Sequence, residues 1–209
     1  MKNTTFVPAA LLCCGALFLA APASADSHME KSKDMKVEAK TAAMDPAMAQ
    51  MMKDAQPGEQ HKGMEALVGT WKATVKMMGG PGMEPSTSEG TMVNSMKFGG
   101  RVLEGKFNGT MMGAPMEGLS LMGFDNHKKE YWSFWTDNMS TTQMLSTGPV
   151  SSEAKTISMK GMADGPDGKP AEYITTTKIV SADTNVWTMS TMMGGKVVPW
   201  MEITYNRAK

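Results

Sequence analysis

The chain has 209 residues, 21 basic and 21 acidic, so its formal net charge is zero and its isoelectric point is near 6.8. The lysines are scattered among acids, and the only arginines are Arg101 and Arg207, which excludes the basic face of a nucleic-acid binder. The oddity is methionine, with 25 copies against two cysteines.

The first 25 residues have the order of an export signal. Lys2 supplies a positive start, Ala9 to Ala20 is a short apolar run, and Ala23-Ser24-Ala25 offers a small-x-small cleavage site. The expected mature chain begins at Asp26 and is periplasmic. Cys13 and Cys14 both fall inside the apolar run. A lipid anchor on either is the alternative, but Leu12 and Cys13 are poor neighbours for lipoprotein cleavage. The soluble form has no cysteine, hence no disulfide and no thiolate metal site. No later segment is long and apolar enough to be a transmembrane helix.

Residues 26–43 read as a charged, flexible leader. Residues 44–57 form the next unit, a methionine helix started by Asp45 as N-cap and Pro46 at the first helical position. Met44, Met48, Met51 and Met52 fall three and four apart and share one face. Two readings apply: an apolar stripe packed on the rest of the protein, or a row of thioethers suited to Cu(I), with His61 as a further ligand. Methionine is also a sink for oxidants. Pro57-Gly58 ends this helix, and a second short one is expected over Glu59 to Val68, with Met64, Leu67 and Val68 on one side.

The texture changes after Gly69, and residues 58–209 are assigned to one β domain. Trp71, Ala73, Val75 and Met77 alternate with Lys72, Thr74 and Lys76, the pattern of a half-buried strand. Nine further strands are expected near 89–98, 101–111, 118–125, 130–136, 142–148, 155–161, 172–181, 185–192 and 197–207. Between them stand Gly79-Gly80-Pro81-Gly82, Gly99-Gly100, Gly113-Ala114-Pro115, Asn126-His127-Lys128-Lys129, Gly165-Pro166-Asp167-Gly168, Asp183-Thr184 and Gly194-Gly195. About ten strands on short turns, with no crossover helix, predict an all-β, antiparallel up-and-down barrel with one or two short N-terminal helices. A β-sandwich is the alternative.

Gly69-Thr70-Trp71 at the start of the first strand and Tyr205-Asn206-Arg207 at the end of the last resemble the calycin pattern of lipocalins and fatty-acid-binding proteins. That resemblance implies that Arg207 stacks on Trp71 and ties the barrel's two ends together. A closer resemblance is to the bacterial family called domain of unknown function 1579, over about Pro57 to Arg207. It is carried by Pro57-Gly58-Glu59-Gln60-His61, Leu67-Val68-Gly69-Thr70-Trp71, Gly99-Gly100-Arg101, Gly123-Phe124-Asp125, Tyr131-Trp132-Ser133-Phe134-Trp135 and Tyr205-Asn206-Arg207. The resemblance speaks for a fold more than for a chemistry.

Catalytic signals are poor. There is no Gly-x-Ser-x-Gly, no His-Glu-x-x-His and no phosphate-binding loop. No catalytic residue, resident metal or cofactor is expected. Of the three histidines, His28 lies in the leader and His127 in a turn. His61 either caps backbone groups or ligates something at the barrel mouth. The leading expectation is a non-enzymatic envelope protein that binds a small apolar ligand inside the barrel. Tyr131, Ser133 and Trp135 share a strand face, as do Arg101, Leu103 and Phe107. Candidate ligand contacts are therefore Trp71, Arg101, Tyr131, Trp135 and Arg207, with Arg101 as a cation for an acidic head group. A solid core with Arg101 at the surface is the competing expectation. The alternative function is copper handling or protection from oxidative stress through Met44, Met48, Met51, Met52 and His61.

Overall fold

A computed structural model describes residues 45–79, 84–164, 168–193 and 196–209. The signal segment, the leader, both cysteines, His28 and Met44 lie outside the described residues. So do parts of three expected turns: Gly80 to Gly82, Gly165 to Asp167, and Gly194-Gly195.

Two helices precede ten strands. The helices are α1 (Pro46–Asp54) and α2 (Glu59–Glu65). The strands are β1 (Gly69–Met77), β2 (Ser86–Lys97), β3 (Val102–Met111), β4 (Ala114–Asp125), β5 (Glu130–Asp137), β6 (Met144–Pro149), β7 (Thr156–Asp164), β8 (Pro170–Ile179), β9 (Thr184–Met193) and β10 (Lys196–Arg207). Each strand pairs antiparallel with its chain neighbours, and β1 pairs with β10, so the sheet closes into a barrel without edges. Pairing β1 with β10 covers the two edges that an open sheet would offer to another chain.

Local chemistry explains most of these boundaries. Asp45 caps α1 by accepting from the Ala47 N–H at 2.7 Å, and Pro46 opens the helix. The second helix is shorter than expected. It stops at Glu65, and Leu67 follows in a turn closed by its N–H on the Met64 carbonyl. The turn expected at Gly113-Ala114-Pro115 narrows to Met112-Gly113, because Ala114 already pairs with Met111. Both turn residues have positive φ, 51° and 81°, the mirror-image turn whose twist suits a two-residue hairpin. Pro199 sits where the β9–β10 register shifts, a place where a missing N–H costs little.

The barrel has two unlike ends. The end where β1 starts is plugged by α2, whose His61 and Met64 are buried, and by Leu67. Under them lies a core of Leu103, Met122, Phe124, Tyr131, Ile157 and Met159. The opposite end carries the Met112-Gly113 hairpin and the β5–β6 turn. The first helix does not pack on the barrel. None of its residues is buried, and Met48, Met51 and Met52 are 50%, 61% and 51% exposed. The expected packed stripe is therefore absent from the described residues: Asn126 and Arg101 hold the chain just past α1, through backbone carbonyls, and leave its methionine face to solvent.

Closure at the plugged end centres on one pair. Trp71 and Arg207 are register partners across the β1–β10 ladder, and the guanidinium carbon lies 4.1 Å from the indole centroid. Trp71 is 1% exposed, and its Nε1 donates to the Leu67 carbonyl at 2.8 Å. Arg207 donates to the carbonyls of Val68 (2.8 Å), Ala66 (3.3 Å) and Ala182 (3.0 and 2.9 Å). It also pairs with Asp183 at 3.3 Å. Gly69 makes room for this: its φ is 125°, and a Cβ there would stand 2.6 Å from Arg207 Nη1.

Replacing Arg207 by Ala removes the stacking and strands three carbonyls, so it should cost about 1–3 kcal/mol in urea denaturation. Arg207→Lys should recover less than half of that loss, because an ammonium lacks the planar fork. An unchanged urea midpoint for Arg207→Ala would refute this account of the closure.

Candidate functional site

Side chains alternate in and out along each strand, so every second residue faces the barrel interior. That interior is not filled. It holds a cavity of about 360 Å³, within the range of about 300–1,000 Å³ usual for small-molecule sites. Eleven of the lining residues are methionines, joined by Trp135, Trp187, Trp200, Phe107 and two tyrosines. Met112 and Met139 line it and are also 63% and 45% exposed, so the mouth is at the end opposite α2.

Glycine keeps the interior open. Gly90 and Gly109 lie beneath the Phe107 ring, Gly118 beneath the Trp135 indole, and Gly161 beneath Tyr173, each too close for a Cβ. The rings therefore lie against the wall instead of crossing the lumen. The Tyr173 hydroxyl, held flat in this way, donates to the Leu145 carbonyl at 2.7 Å. That bond crosses the thinnest seam of the barrel, where β6 meets β7 through two register pairs, Ser146 with Gly161 and Thr147 with Lys160.

Polar groups in the lining are few. Ser133 and Ser146 hydroxyls bond each other at 2.6 Å. Asn94 Nδ2 donates to the Leu67 carbonyl at 2.9 Å. Trp135 Nε1 donates to Asp137 Oδ2 at 2.7 Å, and Asp137 Oδ1 accepts from the Met139 and Ser140 N–H groups. Asp137 is the single charged side chain among the described lining residues. Its carboxylate is thus already used to shape the mouth.

The expected site residues separate. Trp135, Ser133, Leu103 and Phe107 line the cavity. Trp71 and Arg207 form the floor's clasp and do not line it. Tyr131 is buried below the lumen, edge-on to Phe124 at 4.9 Å between ring centres. Arg101 precedes β3 and sits in the β2–β3 turn. Its Nε and Nη2 donate to the Ala55 carbonyl at 3.1 and 2.8 Å, and Nη1 to the Phe98 carbonyl at 3.0 Å. It anchors the α1–α2 link and presents no cation to the lumen. Asn126 does the same from the β4–β5 turn, donating to the carbonyls of Asp54 and Gln56. Asn185, Tyr205 and most of the methionines are lining residues that sequence reasoning missed. Alternation puts Asn185, Trp187 and Met189 on one face, but Val186 on the other face is apolar too, so periodicity does not say which face turns inward.

His61 belongs to the plug. Its Nδ1 accepts from the Gly58 N–H at 3.0 Å, and its ring stands edge-on to Phe124 at 6.0 Å. Burial lowers its pKa; the Phe124 carbonyl opposes this, and the positive charge of Arg101 adds to it. No group of three or more His, Cys, Asp or Glu among the described residues is placed to hold a metal ion.

The family model described as a protein of unknown function (DUF1579) matches residues 56–207. Among solved structures the chain is similar to the crystal structure of Rv2717c from M. tuberculosis, with 11% identity and a TM-score of 0.53, over 74% of this chain and 100% of that one. At that identity the likeness speaks for the fold alone. A redesigned β-barrel is similar at 15% identity over 70% of this chain and 96% of its own, with a TM-score of 0.36 that supports no argument. No curated protein matches the sequence. No helix among the described residues is long and apolar enough to cross a membrane.

Burial favours the neutral form of His61 in the fold, so the unfolded chain takes up the proton at higher pH. Stability should fall as pH drops below about 6.5, and level off below the folded-state pKa. His61→Gln keeps an acceptor for Gly58 but does not titrate. Its urea midpoint should be flatter across that window, and equal slopes for the two proteins would count against the assignment.

Proposed function

This chain belongs to the family of proteins of unknown function DUF1579, and from that premise we propose that it binds a small, largely apolar ligand inside its barrel. The observation that carries the reading is the cavity of about 360 Å³ with a methionine and aromatic wall, open at one end and plugged by α2 at the other. Family membership adds no chemistry to it. A largely apolar wall with a few fixed polar groups is the ordinary make-up of a small-molecule site. Methionine suits such a wall, because its unbranched thioether adapts to ligands of different outline.

The setting proposed for this activity is the bacterial envelope, reached through the signal segment at residues 1–25. A Cys-free mature chain is consistent with that route, as the interior then has no thiol to oxidise. N-terminal sequencing of the exported protein should find Asp26 first; an acylated Cys13 or Cys14 would replace the soluble form by the anchored one.

The binding test is a titration of the purified protein with phenylnaphthylamine, a neutral fluorophore. Trp135, Trp187 and Trp200 line the cavity and report on occupancy through their emission. One saturable site is expected. Trp135→Ala removes part of the wall and Ser120→Phe fills part of the lumen, so each should weaken binding by about tenfold. No saturable binding by the wild-type protein would refute the proposal.

A further inference from the structure

The next inference rests on the ligand-site reading and concerns which ligands the lumen takes. Asn185 on β9 and Tyr205 on β10 are register partners, and both line the cavity. They are 4% and 9% exposed. Among the described residues neither side chain has a hydrogen-bond partner, yet no polar side-chain atom is both fully enclosed and unpartnered. The amide and the hydroxyl therefore address the lumen itself. Such uncommitted groups are costly to bury unless something meets them there.

Their position sets a direction. Both lie near the plugged end, where Tyr205 also pairs with Ala73 and the next inward row is Trp71 with Arg207. Thr177, diagonal to Asn185 across the β8–β9 ladder, adds a hydroxyl beside them. The far end of the cavity is lined by Met111, Met112, Met116, Met139 and Met144. A polar floor beneath an apolar shaft suits an amphiphile that enters head-first.

The floor is polar but uncharged. The one charged lining residue among those described, Asp137, is at the mouth, with its oxygens engaged. Arg207 does not line the cavity, and its donors are taken by carbonyls. Burial pushes the Tyr205 hydroxyl well above the ordinary tyrosine range, so it keeps its proton and serves as a donor. An ionised carboxylate on this floor would be buried without an uncommitted counter-charge, at a greater cost than an uncharged head group that takes the same hydrogen bonds.

We propose that Asn185 and Tyr205 recognise an uncharged hydrogen-bonding head group, an alcohol, amide or ester carbonyl, on an apolar chain, and that the site rejects chains ending in a carboxylate.

The test displaces phenylnaphthylamine from the full protein at neutral pH with decanol, decanoate and chlorodecane, which share a chain and differ in the head. Decanol should compete at about tenfold lower concentration than decanoate. Tyr205→Phe and Asn185→Leu should each weaken decanol relative to chlorodecane by about three- to tenfold. Tyr205→Phe keeps the ring and decides the matter if Asn185→Leu fails to fold. Decanoate competing as well as decanol overturns the inference and leaves the ligand site standing. A decanol preference unchanged in Tyr205→Phe overturns the assignment to this pair. A protein that binds no dye overturns the ligand-site reading, and this inference with it.

Discussion

The guanidinium of Arg207 over the indole of Trp71 is the contact on which the barrel depends. It joins the first strand to the last, 4.1 Å from charge to ring. Without β1 paired to β10 the sheet would have two open edges and no enclosed interior. The same guanidinium reaches the carbonyls of Ala66 and Val68, so the segment from α2 into β1 is fixed by the strand that ends the chain. It also reaches Ala182, which fixes the β8–β9 turn. Gly69 is required here twice, by its φ of 125° and by the space the guanidinium occupies.

The family-like segments gather largely at that end. Pro57 to His61 lead into α2 and form its first turn, with His61 accepting from Gly58. Arg101 in its Gly-Gly-Arg turn, and Asn126 after Gly123-Phe124-Asp125, hold the α1–α2 link by its carbonyls. Beneath α2, Phe124 stands edge-on to both His61 of the helix and Tyr131. These are closure parts: their hydrogen bonds are spent inside the protein, leaving little for a ligand. The lumen takes Ser133, Phe134, Trp135 and Tyr205 from these segments, but most of its wall, the methionines and Asn185 among it, comes from outside them. A resemblance carried by the plug therefore says much about the fold and little about what the barrel holds.

The open lumen is a consequence of where glycine falls. A ten-stranded barrel encloses more room than a smaller one, but large aromatics pointing inward would still fill it. Phe107, Trp135 and Tyr173 do not, because glycines under them let the rings lie on the wall. The remaining space is bounded by more flexible thioethers than branched side chains, a wall that adjusts at little cost. Stiffness is thus concentrated at the plugged end, where ring stacking and carbonyl clamps meet, and adaptability at the mouth.

Ten strands, their order and their antiparallel pairing were legible in the sequence, because short turn signals between alternating segments leave few topologies open. The Trp71–Arg207 contact was legible as well, since a motif at each end of the chain implied it. Arg101 shows the limit. Its parity with Leu103 and Phe107 pointed inward, but the chain is still in a turn at that residue, and the backbone carbonyl of Ala55 claims the guanidinium. The exposed methionine face of α1 shows the same limit from the other side, because a stripe at helical spacing does not name its partner. Sequence alone determined the alternation of faces and the closure of the sheet. Tertiary structure decided which face turned inward, which rings lay flat on glycine, and which polar groups were left without a partner, because those outcomes depend on contacts between residues far apart in the chain.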